Sequence, residues 1–239
     1  YFCPVFRYER PQAGRFREHH QFGVEVLGDP DSSVDAEVIE LAWQLTKSLG
    51  LREINLLVNS IGDSQCRPTY IAELKNYYSG FHDSICDDCR SRLDRNPLRL
   101  LDCKVEACQA LGNDAPRSTD HLCQQCQNHW DNLRGYLEAM EIPYEVDHRL
   151  VRGLDYYSRT VFEIQPEDGG AQSTICGGGR YDGLIEQLGG RPTPGIGFAT
   201  GMERLTLNLK RSGIEVPLDP SPEYLVANVG DAARPAALA

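Results

Sequence analysis

The chain has 239 residues, 41% apolar and 25% charged, a composition typical of a globular protein with a substantial core. No apolar run approaches the roughly 20 residues of a membrane-spanning helix, and no secretory signal opens the sequence. The net charge of −11 argues against a nucleic-acid-binding surface over the whole chain, because such binding needs Lys and Arg at the phosphates. Any RNA contact would therefore depend on local basic patches or on another domain.

The first two predicted strands form a hairpin around an arginine-bearing loop. Residues 1–9 alternate so that Arg7 shares a face with Val5, and residues 19–28 alternate so that Gln21 and Glu25 lie opposite an apolar face. A polar face that carries a glycine suits a sheet that packs on one side and binds a ligand on the other. Isolated strand residues of this kind are more often simply solvated, so the hairpin alone leaves both interpretations open.

A helix and a strand are predicted next. Residues 31–50 carry one apolar stripe at helical spacing, Ser32 and Asp35 resemble a capping pair, and Gly50 ends the helix. Residues 53–59 read EINLLVN and predict a strand.

The segment from about 64 to 146 is rich in cysteine. The chain has nine cysteines, an odd number, and without a secretory signal this favours reduced thiols or a metal site over disulfides. Two CxxC pairs can each supply two thiolates to a tetrahedral zinc ion, but six cysteines compete for four places. The six candidates are Cys86, Cys89, Cys103, Cys108, Cys123 and Cys126. Thiols packed as small apolar side chains are the alternative.

Residues 150–164 read LVRGLDYYSRTVFEI and predict one wall of a small-molecule site. The alternating TVFEI indicates a strand, and Gly153 permits close approach of backbone or ligand. We expect Arg152 to face an anion, and Tyr156 and Tyr157 to point to opposite faces. A packed strand with a solvated arginine is the alternative.

Two glycine-rich segments follow. Residues 173–190 read STICGGGRYDGLIEQLGG; no Lys-Ser/Thr follows the glycines, so this is not a phosphate-binding P-loop, and Asp182 is a candidate helix cap. Residues 194–209 read PGIGFATGMERLTLNL, in which Met202, Leu205 and Leu209 would form the buried side of a helix that ends at Gly213. A proline-rich linker over 217–222 then precedes a predicted strand at 224–229.

Four of these segments, in this order, resemble histidyl-tRNA synthetases of class II. The hairpin matches their motif 2 in the form FRxERPQxGRxRxxHQ, the segments LVRGLDYY and GGGRYDGL match histidine-specific regions, and residues 194–209 match motif 3. The resemblance implies an α+β fold, a class II catalytic core with an antiparallel sheet flanked by helices and an inserted small cysteine-containing domain. It implies a motif 2 half (1–63), the insertion (64–146), a second core half with motif 3 (147–216), and a linker with the start of an anticodon-binding domain (217–239).

The resemblance also implies the site residues. The catalytic residues are Arg7 and Arg152. The ATP-binding residues are Arg7, Glu9, Arg15 and Arg204. The histidine-binding residues are Arg7, Gln21, Glu25, Arg152, Tyr156, Tyr157 and Tyr181. A guanidinium binds phosphate or carboxylate through two hydrogen bonds, and a carboxylate accepts from an imidazole N–H, so these residue types suit the implied ligands.

The implied ligands and partners are ATP with Mg²⁺, L-histidine and tRNA(His), in a cytoplasmic protein that forms a homodimer. Because the sequence lacks an initiator Met, we expect a fragment without motif 1 and without most of the anticodon-binding domain. One rival is the non-catalytic regulatory subunit of ATP phosphoribosyltransferase, which binds histidine as a sensor. That rival predicts loss of the arginines that serve the nucleotide, whereas all of them are present here: Arg7, Arg15, Arg152 and Arg204. A zinc-binding RNA module over 64–146 is a further alternative.

Overall fold

The computed structural model describes residues 1–8, 16–151, 156–168, 174–215 and 223–238, and builds them around one seven-stranded sheet. The strands are β1 (Phe2–Phe6), β2 (Glu18–Leu27), β3 (Ile54–Ser60), β4 (Glu145–Val146), β5 (Ser158–Pro166), β6 (Cys176–Arg180) and β7 (Gly195–Gly201). The helices are α1 (Ser32–Ser48), α2 (Arg67–Ser79), α3 (Asp87–Arg95), α4 (Glu106–Asn113), α5 (Gln124–Ala139), α6 (Leu184–Gln187), α7 (Met202–Arg211) and α8 (Arg234–Leu238).

The strand order is β1-β2-β7-β6-β5-β3-β4, and every neighbouring pair is antiparallel except β3 and β4. The prediction of an α+β fold with an antiparallel sheet flanked by helices is confirmed. β2 and β7 lie side by side although they are far apart in sequence, so the hairpin and the last glycine-rich segment meet in the centre of the sheet.

The sheet separates two hydrophobic cores. On one face, Phe162 and Ile164 of β5 pack with α1 and α5 in the larger core. On the other face, Val161 of β5 packs with side chains of α2, α3 and α4 in the second core. This division follows from the alternation of side chains along a strand. The helix α5 lies within the range assigned to the insertion, yet Trp130 and Leu137 are buried in the core of the sheet. The domain boundaries remain a prediction.

The first helix begins one residue earlier than its capping pair predicts. The side chain of Asp31 is the N-cap and accepts a hydrogen bond from the Ser33 N–H at 2.8 Å, so the pairing of Ser32 with Asp35 is wrong. Gly50 follows the helix with a φ of +91°, a conformation that glycine adopts without strain.

A buried ion network lies where α1, β6 and α5 meet. The Arg180 Nε donates to Asp35 at 2.9 Å, and the His129 Nε2 lies 2.8 Å from the same carboxylate. Both Arg180 and Asp35 are 0% exposed. Arg180 also donates to Asp182 at 3.0 Å and to the carbonyl oxygen of Asp31 at 3.1 Å. Asp182 is therefore not the predicted cap of α6, whose N-cap is Gly183 without a side-chain hydrogen bond.

The predicted strand at 224–229 is not found, because residues 223–230 of the structure contain no strand. A strand needs a neighbour with which to exchange hydrogen bonds, and Tyr224, Leu225 and Val229 are all exposed here. The assignment of this segment to a further domain remains a prediction. Among the described residues, no helix is long and apolar enough to cross a lipid bilayer.

Candidate functional site

The candidate site lies on the face of the sheet that carries the second core. In the ladder, Glu25 of β2 is opposite Gly197 of β7, and Gly197 is opposite Gly179 of β6. The next row on the same face joins Gly23, Ala199 and Gly177. We call these five small residues the glycine floor. Because they carry almost no side chain, they leave room above the sheet for a ligand or for larger side chains.

Large side chains from neighbouring segments lie over the glycine floor and its edge. The Glu25 carboxylate lies where a Cβ of Gly197 would be, and the Tyr157 ring would approach a Cβ of Gly179 to 2.9 Å. The Tyr181 ring in the same way covers Gly195, to 2.5 Å. The glycines are therefore required by side chains of the site itself.

Three tyrosines and one glutamate converge above this floor. The Tyr181 hydroxyl donates to the Glu25 Oε2. The rings of Tyr156 and Tyr181 are 6.0 Å apart and nearly perpendicular, and those of Tyr156 and Tyr157 are 5.0 Å apart. Tyr157 is 7% exposed and Tyr181 9%, whereas Glu25 is more exposed than either, although its carboxyl is partly covered. The structure thus brings together four of the residues implied for the histidine site.

Burial raises the pKa values of this group. The pKa of Glu25 is raised because its carboxyl is partly desolvated, although the Tyr181 hydrogen bond opposes the shift. The pKa values of Tyr156 and Tyr181 are raised by burial first, so both phenols stay protonated and can donate. A carboxylate held in a partly dry site favours a ligand that brings an N–H or a positive charge.

Substituting a glycine of the floor tests whether the surrounding groups pack as closely as described. A Cβ at Gly179 would lie 2.6 Å from the Thr160 carbonyl oxygen, which is backbone and cannot easily move. We expect Gly179→Ala to lower the free energy of unfolding by about 1–3 kcal/mol in urea denaturation. The matched control is Gly135→Ala in α5, where a Cβ meets nothing within 4 Å. That change is expected to stabilise by about 0.5–1 kcal/mol. Equal effects in the two variants would contradict the packing described here.

Cationic side chains border the floor at the β1–β2 end. The Arg7 Nη2 lies 2.7 Å from the His19 Nε2, and Arg204 Nη1 donates to the Thr174 carbonyl oxygen at 3.4 Å. The pKa of His19 is lowered by burial first and then by the positive charge of Arg7, while Glu203 opposes the shift and Arg204 adds to it. Gln21 lies on the same face as Glu25, opposite Gly201.

Motif 3 is joined to the hairpin at the same end. Glu203, in the first turn of α7, accepts from the His20 backbone N–H at 2.9 Å, and this contact holds the helix against β2. Three implied site residues, Glu9, Arg15 and Arg152, lie outside the described residues.

The cysteines form two separate groups that could hold a metal. One group is Cys86, Cys89, Cys103 and Cys108, and the other is Asp63, Cys66, Cys123 and Cys126. In each group the candidate ligand atoms all lie within 4.8 Å of one another. The possibility that both CxxC pairs hold one ion does not fit this arrangement, because the two pairs fall in different groups. Asp63 and Cys66 were missed, although Asp-x-x-Cys has the same spacing as Cys-x-x-Cys.

The chain is similar to proteins of one known family. A model of the family described as Histidyl-tRNA synthetase matches residues 1–63 and 95–205. The histidine–tRNA ligase of Dehalococcoides mccartyi is 58% identical over 239 residues, which are 100% of this chain and 57% of that protein. The solved apo structure of S. aureus histidyl-tRNA synthetase is 38% identical with a TM-score of 0.74, covering 100% of this chain and 57% of that one.

A more distant structure is also similar. The ATP phosphoribosyltransferase regulatory subunit/histidyl-tRNA synthetase from Bacillus halodurans is 26% identical with a TM-score of 0.59, covering 87% of this chain and 57% of that one. The chain spans about 57% of the length of the curated relatives it matches.

Proposed function

The chain belongs to the histidyl-tRNA synthetase family, and from this membership we propose that it carries the catalytic site of a histidine–tRNA ligase. The recognition of the family from four sequence segments is confirmed, as is the class II type of fold. The reaction we propose is the activation of L-histidine with ATP to histidyl-adenylate, followed by transfer of histidine to the 3′ end of tRNA(His). The observation that carries this proposal is the Glu25 carboxylate, which lies over the glycine floor beside three tyrosines.

Glu25 is the residue that would select histidine. Its carboxylate can accept a hydrogen bond from an imidazole N–H, and an aliphatic side chain of similar size would leave it unpaired at a cost of about 1–3 kcal/mol. Tyr181 holds that carboxylate through its hydroxyl, which fixes the direction of the remaining lone pairs. Tyr156 and Tyr157 supply the flat walls against which an imidazole ring can pack. Gln21, on the same face, has an amide for the polar end of the amino acid.

The cationic end of the floor would bind the triphosphate. Arg7 and Arg204 are the described members of the ATP-binding set, and Glu9 and Arg15 complete it by resemblance. Arg152 is by resemblance a catalytic residue near the α-phosphate. In the first step, a carboxylate oxygen of histidine attacks the α-phosphorus, the bond from that phosphorus to the bridging oxygen breaks, and pyrophosphate leaves with the electron pair. Guanidiniums fixed around the phosphorus stabilise the charge that develops there. ATP is expected to enter with Mg²⁺ bound between its phosphates.

The wider assembly belongs to the same proposal. A homodimer, tRNA(His) as acceptor and a cytoplasmic location are typical of the family. The curated relatives are longer than this chain, which spans about 57% of their length, and an anticodon-binding domain belongs to the proposed whole protein. Because the net charge is −11, tRNA binding would rely on basic patches or on residues beyond this chain. We also propose that the cysteine-bearing segment binds zinc.

Histidine-dependent exchange of labelled pyrophosphate into ATP tests the first step. We expect exchange that requires histidine and Mg²⁺ and that stops when either is left out. A protein that binds histidine with normal affinity but catalyses no exchange would instead be a sensor of the regulatory-subunit kind, and the ligase proposal would be overturned.

Changing Glu25 tests the selection of histidine. We expect Glu25→Gln to weaken histidine binding about 10- to 100-fold. The uncharged amide oxygen accepts a hydrogen bond less strongly than a carboxylate, and the Tyr181 hydroxyl and the imidazole would both need that one oxygen as their acceptor. Isothermal titration with histidine and, separately, with ATP measures both affinities. ATP binding should not change, and the exposed Glu37→Gln in α1 should change neither. If Glu25→Gln weakened both ligands equally, the carboxylate would not be specific for the imidazole.

A further inference from the structure

We propose that the chain binds two zinc ions, one in a Cys₄ site made by Cys86, Cys89, Cys103 and Cys108, and one in an Asp-Cys₃ site made by Asp63, Cys66, Cys123 and Cys126. This inference does not depend on the ligase activity. It rests on which side chains lie close together in the structure. The CxxC of residues 86–89 lies with Cys103 and Cys108, whereas the CxxC of residues 123–126 lies with Asp63 and Cys66, far earlier in the sequence.

The Cys₄ site has the dimensions of a zinc site. Four thiolates at about 2.3 Å from a tetrahedral zinc ion lie about 3.8 Å from one another. The Sγ atoms of Cys86 and Cys103 are 3.8 Å apart, and all four lie within 4.8 Å. All nine cysteines are free thiols, and this separation is nearly twice that of a disulfide bond. The backbone N–H of Cys86 donates to the Cys108 Sγ at 3.3 Å, a contact that favours a thiolate.

The position of these sulfurs also suits an ion. Cys86 is the N-cap of α3 and Cys89 lies in its first turn, while Cys108 lies in the first turn of α4. Helix N-termini carry partial positive charge, which stabilises thiolates. Both helices are short, with nine and eight residues. Short elements with little core of their own are commonly held by a metal.

The Asp-Cys₃ site joins the insertion to the sheet. Asp63 follows β3, Cys66 is the N-cap of α2, and Cys123 and Cys126 begin α5. The Asp63 Oδ1 lies 3.6 Å from the Cys66 Sγ, while its Oδ2 is 3.5 Å from the Arg159 guanidinium. One carboxylate oxygen therefore faces the sulfurs while the other is held by an arginine. This is how carboxylate ligands of metals are usually oriented.

The glycine before Asp63 allows the Cys66 sulfur to lie close to the backbone. Gly62 has a φ of +65°, and a Cβ there would lie 2.6 Å from the Cys66 Sγ. Gly62 also accepts from Arg67 at 2.9 Å, and Arg67 donates to the Tyr157 carbonyl oxygen at 2.6 Å. An ion on Asp63 and Cys66 would therefore stabilise the loop that supports the tyrosine wall of the candidate site.

Packed thiols without metal are the alternative, and metal content decides between them. We expect protein purified under reducing, anaerobic conditions with zinc to contain two ions per chain by mass spectrometry of the metal. Cys89→Ala and Cys126→Ala should each retain one ion, and the double variant none. Cys176→Ala, which removes a buried thiol outside both groups, should retain two. If one ion were shared between the CxxC pairs, each single variant would already lose all metal.

A second measurement uses the unaltered protein, so its result does not depend on whether the cysteine variants fold. Titration of the metal-free protein with Co²⁺ should saturate at two equivalents, with thiolate-to-cobalt charge-transfer absorption at each step. Saturation at one equivalent, or no such absorption, would overturn the two-site proposal.

Discussion

Asp35→Ala is expected to lower the free energy of unfolding by about 3–5 kcal/mol. The change removes the carboxylate that pairs with Arg180, and both side chains are fully buried. The guanidinium cannot lose its proton at ordinary pH, so it would remain as a buried and incompletely paired charge. The same change leaves His129 without its acceptor at 2.8 Å. Such a loss is a large part of the stability of a typical domain.

Urea-induced unfolding, followed by circular dichroism, measures this effect. The matched control is Asp131→Ala, which removes an ion pair with Arg134 on the surface of α5. Both partners of that pair are well exposed, so we expect a loss below about 1 kcal/mol. Similar losses in the two variants would mean that the buried network does little to hold α1, α5 and β6 together.

Arg152→Ala is expected to slow adenylate formation by about 10²- to 10³-fold while ATP binding changes little. The role of Arg152 is implied by the resemblance, and Arg152 itself is not among the residues that the structure describes. Hydrogen bonds hold the backbone on both sides of it. The Asn59 Nδ2 donates to the Leu150 carbonyl oxygen at 3.1 Å, and Arg67 donates to that of Tyr157. A guanidinium aimed at the α-phosphate would act mainly as charge develops in the transition state.

Pyrophosphate exchange at saturating ATP and histidine gives the rate, and titration of ATP alone gives its affinity. Arg149→Ala is the matched control, because this nearby arginine contacts Asp147 at 3.8 Å and has no implied catalytic role. We expect the control to retain its rate. An equal loss of rate and of ATP affinity in Arg152→Ala would assign the residue to ground-state binding instead.

Local patterns in the sequence predicted β1, β2 and β5, but they did not predict β6, whose sequence CGGGR carries no alternation of apolar and polar residues. Alternation placed Gln21 and Glu25 on the face opposite Phe22 and Val24, and the structure has the latter two packed against the larger core. The pairing of β2 with β7 could not be read from periodicity, because hydrogen bonds between strands so far apart leave no local signature. The resemblance supplied the convergence of Glu25 with Tyr181.

Long-range polar contacts were the features that local patterns could not predict. Asp35 and Arg180 are 145 positions apart, and nothing near Asp35 distinguishes a buried ion pair from a capping residue. The grouping of the cysteines could not be predicted for a related reason. The CxxC spacing shows that two thiols are close to each other, but which pair meets which is decided by the packing of α2, α3 and α5. Asp63 was overlooked because a carboxylate before Cys66 is common on ordinary surfaces.

The glycine floor has a consequence for altering substrate choice. Because the five floor residues contribute almost no side-chain atoms, the size and chemistry of the amino acid accepted under the proposed function would be decided chiefly by Glu25, which β2 contributes beside the floor, and by Tyr156 and Tyr181, which follow other segments of the chain. Those three positions are therefore the ones to diversify in a library aimed at unnatural histidine analogues, while the floor residues themselves are kept constant.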